Sequence, residues 1–208
     1  MVWNAGGVSY YSNEALDGLL EEEADIIGIV EAGRLGDLIE QQALPTSADA
    51  YNALYLGGNI AVLARGDIQA PFFDWTGDRD RLAACTVVLS NQAIRVALVD
   101  FESNPFHWRG DAFTHLKSDL LDLDPPPDIV MGDFNTPPGS AWFNALREHH
   151  NLAFEEAGSG FLCTWPNPVP ILGLDHIWLR KPGEVGSCRI LTQPTSDHRP
   201  VMADIAFP

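Results

Sequence analysis

The order of apolar runs and turn residues along this chain mixes two kinds of connection between strands. Strand-like runs at 51–56 and 60–64 flank Gly-Gly-Asn, and runs at 82–89 and 94–100 flank Ser-Asn-Gln, which is typical of antiparallel hairpins. Amphipathic segments separate other runs. An all-β sandwich would lack the helices, and a purely parallel sheet would lack the hairpins. We therefore predict an α/β protein with two mixed sheets packed face to face and helices on the outside.

Periodicity and turn residues predict the remaining elements. Helices are predicted from a cap at Ser12 to Glu23, and at 34–43, 111–123 and 140–149. Strands are predicted at 25–30, 129–131, 177–179, 188–191 and 201–207. No stretch resembles an interdomain linker, so we expect residues 1–208 to form a single domain.

The charge balance limits the class of partner. The 208 residues are 46% hydrophobic, which is enough for one sizeable core, and 12 Lys and Arg against 29 Asp and Glu give a net charge of −17. Such a charge repels nucleic acid, whose binding depends on basic residues that neutralise phosphates. It does not exclude a small phosphorylated molecule, provided that a metal ion supplies positive charge.

The cysteines and the first residues concern the compartment. Cys85, Cys163 and Cys188 are odd in number and widely spaced, so we expect reduced thiols. The first residues have no signal-peptide pattern, and no apolar run approaches the roughly 18 residues that cross a bilayer. We expect a soluble monomer with no membrane segment, cytoplasmic by default. The chain starts almost directly on a strand, which suggests that an upstream segment has been trimmed.

Four polar islands lie at the edges of apolar, strand-like runs. They are Glu31 after 26–30, the Gly-Asp-Phe-Asn sequence at 132–135, the Leu-Asp-His-Ile sequence at 174–177, and the Ser-Asp-His-Arg-Pro-Val sequence at 196–201. A folded sheet displays such side chains at its rim. Carboxylates, an amide and histidines collected there indicate a metal-assisted site that cleaves phosphoesters.

Alternation along a strand assigns these side chains to faces. Asp133 and Asn135 flank Phe134, so both point to one side, where they could orient a water and a phosphoryl oxygen. The alternative is a turn rich in Asp and Asn. Because neighbours in a strand point to opposite faces, the partner of His198 is expected to be Asp175 rather than an adjacent residue. His176 is then expected to be structural.

Two further residues indicate a function only in combination with the polar islands. Glu31 alone would be an exposed carboxylate at the start of a loop. Asn4 follows a short first strand, where it could cap a turn near Gly6 or orient a catalytic carboxylate.

Together these pieces resemble the endonuclease/exonuclease/phosphatase superfamily, and they occur in that family's order over nearly the whole chain. The matching pieces are Trp3-Asn4, 25–31, 59–65, 132–135, 174–177 and 196–201. The resemblance implies a four-layer α/β sandwich with the site at one end of the two sheets.

The resemblance also implies roles. Glu31 would bind a divalent metal, Mg²⁺ or Mn²⁺, with help from Asp197. Asp133 would orient or deprotonate the attacking water. His198, held by Asp175, would stabilise charge on the phosphate. Asn135 would contact the phosphate, and Asn4 would position metal or carboxylate groups. Hard carboxylate and amide oxygens suit Mg²⁺ or Mn²⁺ better than zinc.

The chain departs from the family pattern at one position. Many members have a histidine or tyrosine near the phosphate where this chain has Asp100. Either Asp100 adds a metal ligand, or His107 reaches in from the next loop, although a surface role is the default for His107. Arg109 is a further candidate for substrate contact.

Three functions follow from these residues. The first is a Mg²⁺-dependent hydrolase of phosphoester bonds in which an activated water attacks phosphorus directly. The second is a DNA endonuclease or exonuclease, which the charge of −17 disfavours because the basic residues are scattered. The third is a catalytically impaired relative that serves as a binding module, supported only by Asp100.

Overall fold

The computed structural model describes residues 1–6, 13–76 and 79–207, and within these ranges the strands form two six-stranded sheets. The strands and helices are numbered in chain order. The first sheet has, in spatial order, β11 (Glu184–Ile190), β12 (Val201–Ala206), β1 (Val2–Asn4), β2 (Ile26–Val30), β4 (Ile60–Ala64) and β3 (Asn52–Gly57). Only β1 and β2 pair in parallel in this sheet.

The second sheet is also mixed, with one parallel pair, β7 and β8. Its spatial order is β5 (Asp67–Thr76), β6 (Asp80–Leu89), β7 (Gln92–Asp100), β8 (Ile129–Asp133), β10 (Asp175–Arg180) and β9 (His150–Leu152). Together the two sheets confirm the predicted mixed α/β sandwich.

Most helices cover the outer faces of the sheets, and the last one contributes Ala153 to the apolar cluster between the sheets. In the described ranges they are α1 (Asn13–Leu20), α2 (Arg34–Glu40), α3 (Arg109–Asp122), α4 (Asn144–Arg147) and α5 (Ala153–Ala157), with short 3-10 helices at Thr46–Ala48 and Ala141–Phe143. None of these helices combines the length and the apolar character that a bilayer crossing requires.

Three buried clusters produce the layers. Period-2 alternation sends Ile27 and Ile29 of β2 outward, against α1 and α2, while Ile26 and Val30 point inward. The inner faces of the two sheets form the central cluster. The outer face of the second sheet packs against α3, where Phe113 is buried. Central strands such as β2, β4 and β8 are therefore buried on both faces, which explains why they read as continuous apolar runs.

The two sheets approach each other closely at Gly28. A Cβ atom at this position would lie 2.1 Å from Leu98 Cδ2 and 2.7 Å from Met131 Cε, so no larger residue fits without a shift. The glycine in the middle of β2 thus sets the spacing of the layers that carry the site.

Several predicted elements differ in extent. The helix expected at 140–149 ends at Arg147, because His150–Leu152 pairs with β10 as an edge strand. Strand β5 was not predicted, since it contains Pro71; it is an edge strand with a register shift between Gln69 and Phe72, where proline is tolerated. Helix α1 ends at Leu20, before Glu23, whose φ is 55°. The predicted cap at Ser12 lies outside the described residues.

Candidate active site

Polar residues replace the inward-facing apolar stripe at one end of both sheets. Asn4, Asp100 and Asp133 stand at the carboxyl ends of β1, β7 and β8, and Asp175 begins β10, which runs antiparallel to β8. In each strand the residue two positions deeper belongs to the central apolar cluster. All four side chains are at least 97% buried. Buried polar groups must find partners, so this end of the sandwich is tied together by hydrogen bonds.

Asn4 joins two carboxylates that come from different sheets. Its Nδ2 donates to Glu31 Oε1 at 3.1 Å and to Asp133 Oδ2 at 2.9 Å. Its Oδ1 accepts from the backbone N–H of Gly6 at 2.8 Å, which fixes the orientation of the amide. The predicted role of Asn4 in positioning a carboxylate agrees with these contacts.

His198 is held by Asp175, the partner expected from the sequence. Nδ1 of His198 donates to Asp175 Oδ2 at 2.8 Å, and Nε2 lies 3.8 Å from Asp133 Oδ2. The hydroxyl of Ser196 accepts from the backbone N–H of His198 and donates to the carbonyl of Asn4. The loop before β12 is thereby fixed to the end of β1, and the imidazole points at Asp133.

The charges of this group are coupled. Burial alone would lower the pKa of His198, but the hydrogen bond and charge of Asp175, with Asp133 and Asp197 nearby, raise it to about 9. Burial, and then the charge of Asp175, hold the pKa of Asp133 well above its usual range. Near neutral pH the imidazole is therefore protonated, and burial makes the Asp133 carboxylate beside it more basic than an exposed one.

Asn135 holds the Asp133 carboxylate through its backbone and its side chain. Its backbone is left-handed, with φ 45°, and its N–H donates to Asp133 Oδ1 at 2.8 Å. Its side-chain Nδ2 donates to the carbonyl of Phe101 at 2.8 Å and to Asp133 Oδ2 at 3.2 Å. Phe134, between them, is fully buried in the outer cluster, as the alternation predicts.

Asp100 lies in a recess beside the site, paired with a cation. Arg81 Nη1 donates to Asp100 Oδ2, so a guanidinium stands beside the carboxylate that replaces the family's donor. Burial raises the pKa of Asp100 to about 7 against the lowering effect of Arg81. Arg81, Asp100 and Glu31 also line a smaller recess of about 230 Å³.

His107 does not turn into the centre of the site. Its Nε2 lies 3.5 Å from Asp80 Oδ2, and Asp80 Oδ1 accepts from the backbone N–H of Glu102 at 2.9 Å. These contacts hold the loop between β7 and α3. Arg109, at the start of α3, does reach the cleft, and its Nη1 is buried without a hydrogen-bond partner among the described residues. Arg109 thus remains the better placed of the two for substrate contact.

A cleft of about 490 Å³ lies over this cluster. Its polar lining includes Glu31, Arg109, Asp133, Asn135, Asp197 and His198. Asp197 stands at its edge, where its Oδ2 accepts from Trp165 Nε1 at 2.9 Å. The cleft therefore brings together most of the residues singled out in the sequence, whereas Asp100 lines the adjoining recess and His107 contacts Asp80.

His176 belongs to the aromatic cluster outside the second sheet. It is 1% exposed, its Nε2 donates to the carbonyl of Thr136 at 2.9 Å, and its ring lies 5.2 Å from that of Phe143. Burial lowers its pKa to about 4. The expected structural role agrees with this position.

Two positioning residues were not found from the sequence. The buried Thr164 hydroxyl accepts from the backbone N–H groups of Leu174 and Asp175, at 3.0 and 3.3 Å. Its carbonyl accepts from the backbone N–H of Arg199 at 2.9 Å. Thr164 therefore fixes the loops that carry both Asp175 and His198. The second is Ser196, whose position next to Asp197 in a polar island could have indicated its role. The role of Thr164 could not be found in this way, because it depends on contacts with residues that are distant in sequence.

The donor set fits a hard divalent cation. Glu31 and Asp133 converge on one amide nitrogen and face the cleft with oxygen atoms. Among the described residues Asp133, Asp175 and His198 also lie within 4.8 Å of one another. A protonated His198 held by Asp175 cannot ligate a cation, so the Glu31 side of Asp133 is the better position for one.

Comparison with known proteins agrees with this fold. Residues 1–198 match the model of the Endonuclease/Exonuclease/phosphatase family. The chain therefore belongs to the endonuclease/exonuclease/phosphatase family. No curated protein sequence matches it significantly.

Solved structures share the fold at low sequence identity. A mannosyl-6-phosphatase from Bacteroides thetaiotaomicron is 16% identical with a TM-score of 0.74, over 94% of this chain and 90% of that one. TDP2 from D. rerio, complexed with a single-strand DNA product, is 17% identical with a TM-score of 0.76, over 99% and 97%. The catalytic domain of human nocturnin, with bound sulfate, is 19% identical with a TM-score of 0.74, over 100% and 94%.

Proposed function

We propose that this protein is a hydrolase of phosphoester bonds that depends on a divalent metal, with Mg²⁺ or Mn²⁺ as the cation. The observation that carries the proposal is the pairing of a protonated His198, held by Asp175, with the buried Asp133 at the floor of an open cleft. A cation donor and a basic carboxylate 3.8 Å apart can act on the two sides of one reaction centre. Membership of the family supports the same chemistry.

In this mechanism Asp133 orients a water and accepts its proton as the water oxygen attacks phosphorus. The new P–O bond forms as the ester P–O bond breaks, and solvent protonates the departing alkoxide. His198 donates from Nε2 to a non-bridging phosphate oxygen, where negative charge accumulates. Asp175 does not react; it holds the imidazole in one orientation and stabilises its charged form.

Other residues bind and orient. Asn4 keeps Glu31 and Asp133 at a fixed separation, and Glu31 would hold the cation, with Asp197 at the edge of the cleft. When bound, the cation would offset the charge of the phosphate. Arg109 lines the same cleft and its buried Nη1 has no hydrogen-bond partner among the described residues, so Arg109 would contact the phosphate, as would Asn135.

The substrate class follows from charge. A net charge of −17 with 12 basic residues opposes a long polyanion, so the proposal favours small or headgroup-sized phosphoesters over DNA. The Arg81 guanidinium neutralises Asp100, which removes the main reason to regard the chain as an inactive binding module.

Hydrolysis of bis-p-nitrophenyl phosphate with and without Mg²⁺ or Mn²⁺ tests the proposal. We expect metal-dependent turnover that is lost in Asp133→Ala and His198→Ala. Turnover that needs no metal, or that persists unchanged in both variants, would contradict it. Nicking of plasmid DNA under the same conditions would favour the nuclease alternative.

A further inference from the structure

Exposed apolar side chains surround the mouth of the catalytic cleft. We name as the apolar rim Phe106, Trp108, Phe161, Val169, Ile171 and Leu172. Phe106 is 95% exposed and Phe161 is 89% exposed. Large apolar residues this exposed on loops beside a cleft mark an interaction site more often than a simple surface.

Both loops of the apolar rim are part of the cleft itself. Pro105 and Arg109 line it from the loop between β7 and α3. Trp165, Leu172 and Leu174 line it from the loop between α5 and β10. The two loops that carry the apolar rim therefore also line the cleft that holds His198.

The longer loop is built to hold its apolar side chains outward. Trp165 and Leu172 exchange backbone hydrogen bonds at 2.9 and 2.8 Å, so the chain between them forms a closed turn. Arg199 Nη2 donates to the carbonyl of Pro168 at 2.7 Å and secures this turn from beneath. Val169 is 72% exposed and Ile171 is 68% exposed in this fixed turn.

The distribution of charge indicates what kind of surface the apolar rim would bind. Residues 157–174 contain no Asp, Glu, Lys or Arg, although 20% of the chain is charged and a run of this length would carry about four such residues. The chain as a whole carries −17, which repels an anionic surface. The loop that carries Phe106 and Trp108 also holds Glu102 and Arg109, whereas the loop that carries Phe161, Val169, Ile171 and Leu172 is uncharged. An apolar and aromatic rim with so few charges suits the interface of a zwitterionic lipid layer, where tryptophan and phenylalanine are favoured.

We propose that the apolar rim docks the protein on a zwitterionic phospholipid surface, so that a lipid phosphodiester enters the cleft. This inference rests on the proposed phosphoester hydrolysis for its substrate, although the docking can be measured without it. The phosphodiester of such a lipid lies beside its apolar layer, as the cleft lies beside the rim. The rim enters the interface while the charged remainder of the protein stays in water.

Flotation with phosphatidylcholine vesicles in the presence of Mg²⁺ tests the docking. We expect the wild-type chain to float, and the double variant Phe106→Ser with Phe161→Ser to bind at least about tenfold more weakly, because two insertion side chains are lost. Leu121→Ser is the matched control, since Leu121 is 64% exposed on α3 outside the rim, and it should bind as the wild type does.

Four outcomes would overturn the proposal: no flotation of the wild-type chain, flotation only when phosphatidylserine is present, equal flotation of the double variant, or a rim-dependent dimer in size-exclusion chromatography instead of lipid binding. Turnover of water-soluble bis-p-nitrophenyl phosphate separates docking from chemistry. The double variant should retain it fully. Its loss in the wild-type chain would refute the hydrolase proposal and leave the docking result to be judged on flotation alone.

Discussion

The polar end of the sheets and the aromatic cluster outside the second sheet each contain a buried histidine that follows an aspartate in sequence. His198 is 6% exposed and has its pKa raised to about 9, whereas His176 is 1% exposed and has its pKa lowered to about 4. The position of Asp175 explains where both histidines lie. It begins β10 facing inward to His198, so that its own neighbour His176 must face outward into the aromatic cluster.

This contrast shows that an aspartate and the histidine next to it in sequence do not act together; the interacting pair is Asp175 with His198. Burial disfavours the imidazolium at both positions, and only a carboxylate partner across the sandwich reverses the shift. Four predictions test this contrast between the two histidines, and they follow in order of decreasing expected effect.

Replacement of each histidine should separate the two roles. We expect His198→Gln to lower kcat/KM for bis-p-nitrophenyl phosphate by about a thousandfold, since it removes the cationic donor to the phosphate. His176→Gln, checked for folding by circular dichroism, should change kcat/KM by about threefold or less. Equal losses in the two variants would break the comparison.

Asp175→Asn should weaken catalysis through His198. We expect kcat/KM to fall by about a hundredfold, because the imidazole keeps a neighbour but loses the charge that stabilises its protonated form. The pKa of His198 should drop towards its ordinary value, visible as a shift of the alkaline limb of the pH–rate profile to lower pH. An unchanged profile would assign Asp175 a merely structural role.

His176 should make the fold sensitive to acid. Its folded pKa is about 4, below the ordinary value of 6.5, so the unfolded chain binds more protons between these values. Its contribution is complete above 6.5 and is lost as the pH falls towards 4. We expect about 2 kcal/mol less stability at about pH 5 than at about pH 7 from this group alone. Urea unfolding at several pH values should show that the free energy of unfolding of His176→Gln depends less steeply on pH than that of the wild-type chain.

Thr164→Val should have the smallest effect. It leaves the backbone N–H groups of Leu174 and Asp175 without their acceptor, and we expect a loss of about 1–2 kcal/mol in the free energy of unfolding. Thr136→Val is the matched control, because the buried Thr136 hydroxyl has no partner among the described residues. A larger loss in the control would contradict the positioning role of Thr164.

Much of the site could be predicted from the sequence, because period-2 alternation at strand ends is a local property. The inward directions of Asp133 and Asp175, and hence the pairing of Asp175 with His198, follow from it. Arg81 beside Asp100 could not be predicted, since the pair depends on the register of β6 against β7. The edge strand β5 was missed because its proline is tolerated only where one side lacks a partner strand.

A titration of both imidazoles by NMR, in the same sample, would distinguish the two histidines directly. We predict that His198 titrates with a pKa of about 9 and His176 with a pKa of about 4, and that Asp175→Asn moves only the first substantially. Two similar pKa values near 6.5, or a His198 that is neutral at about pH 7, would contradict the assignment of His198 as the cationic group of the site.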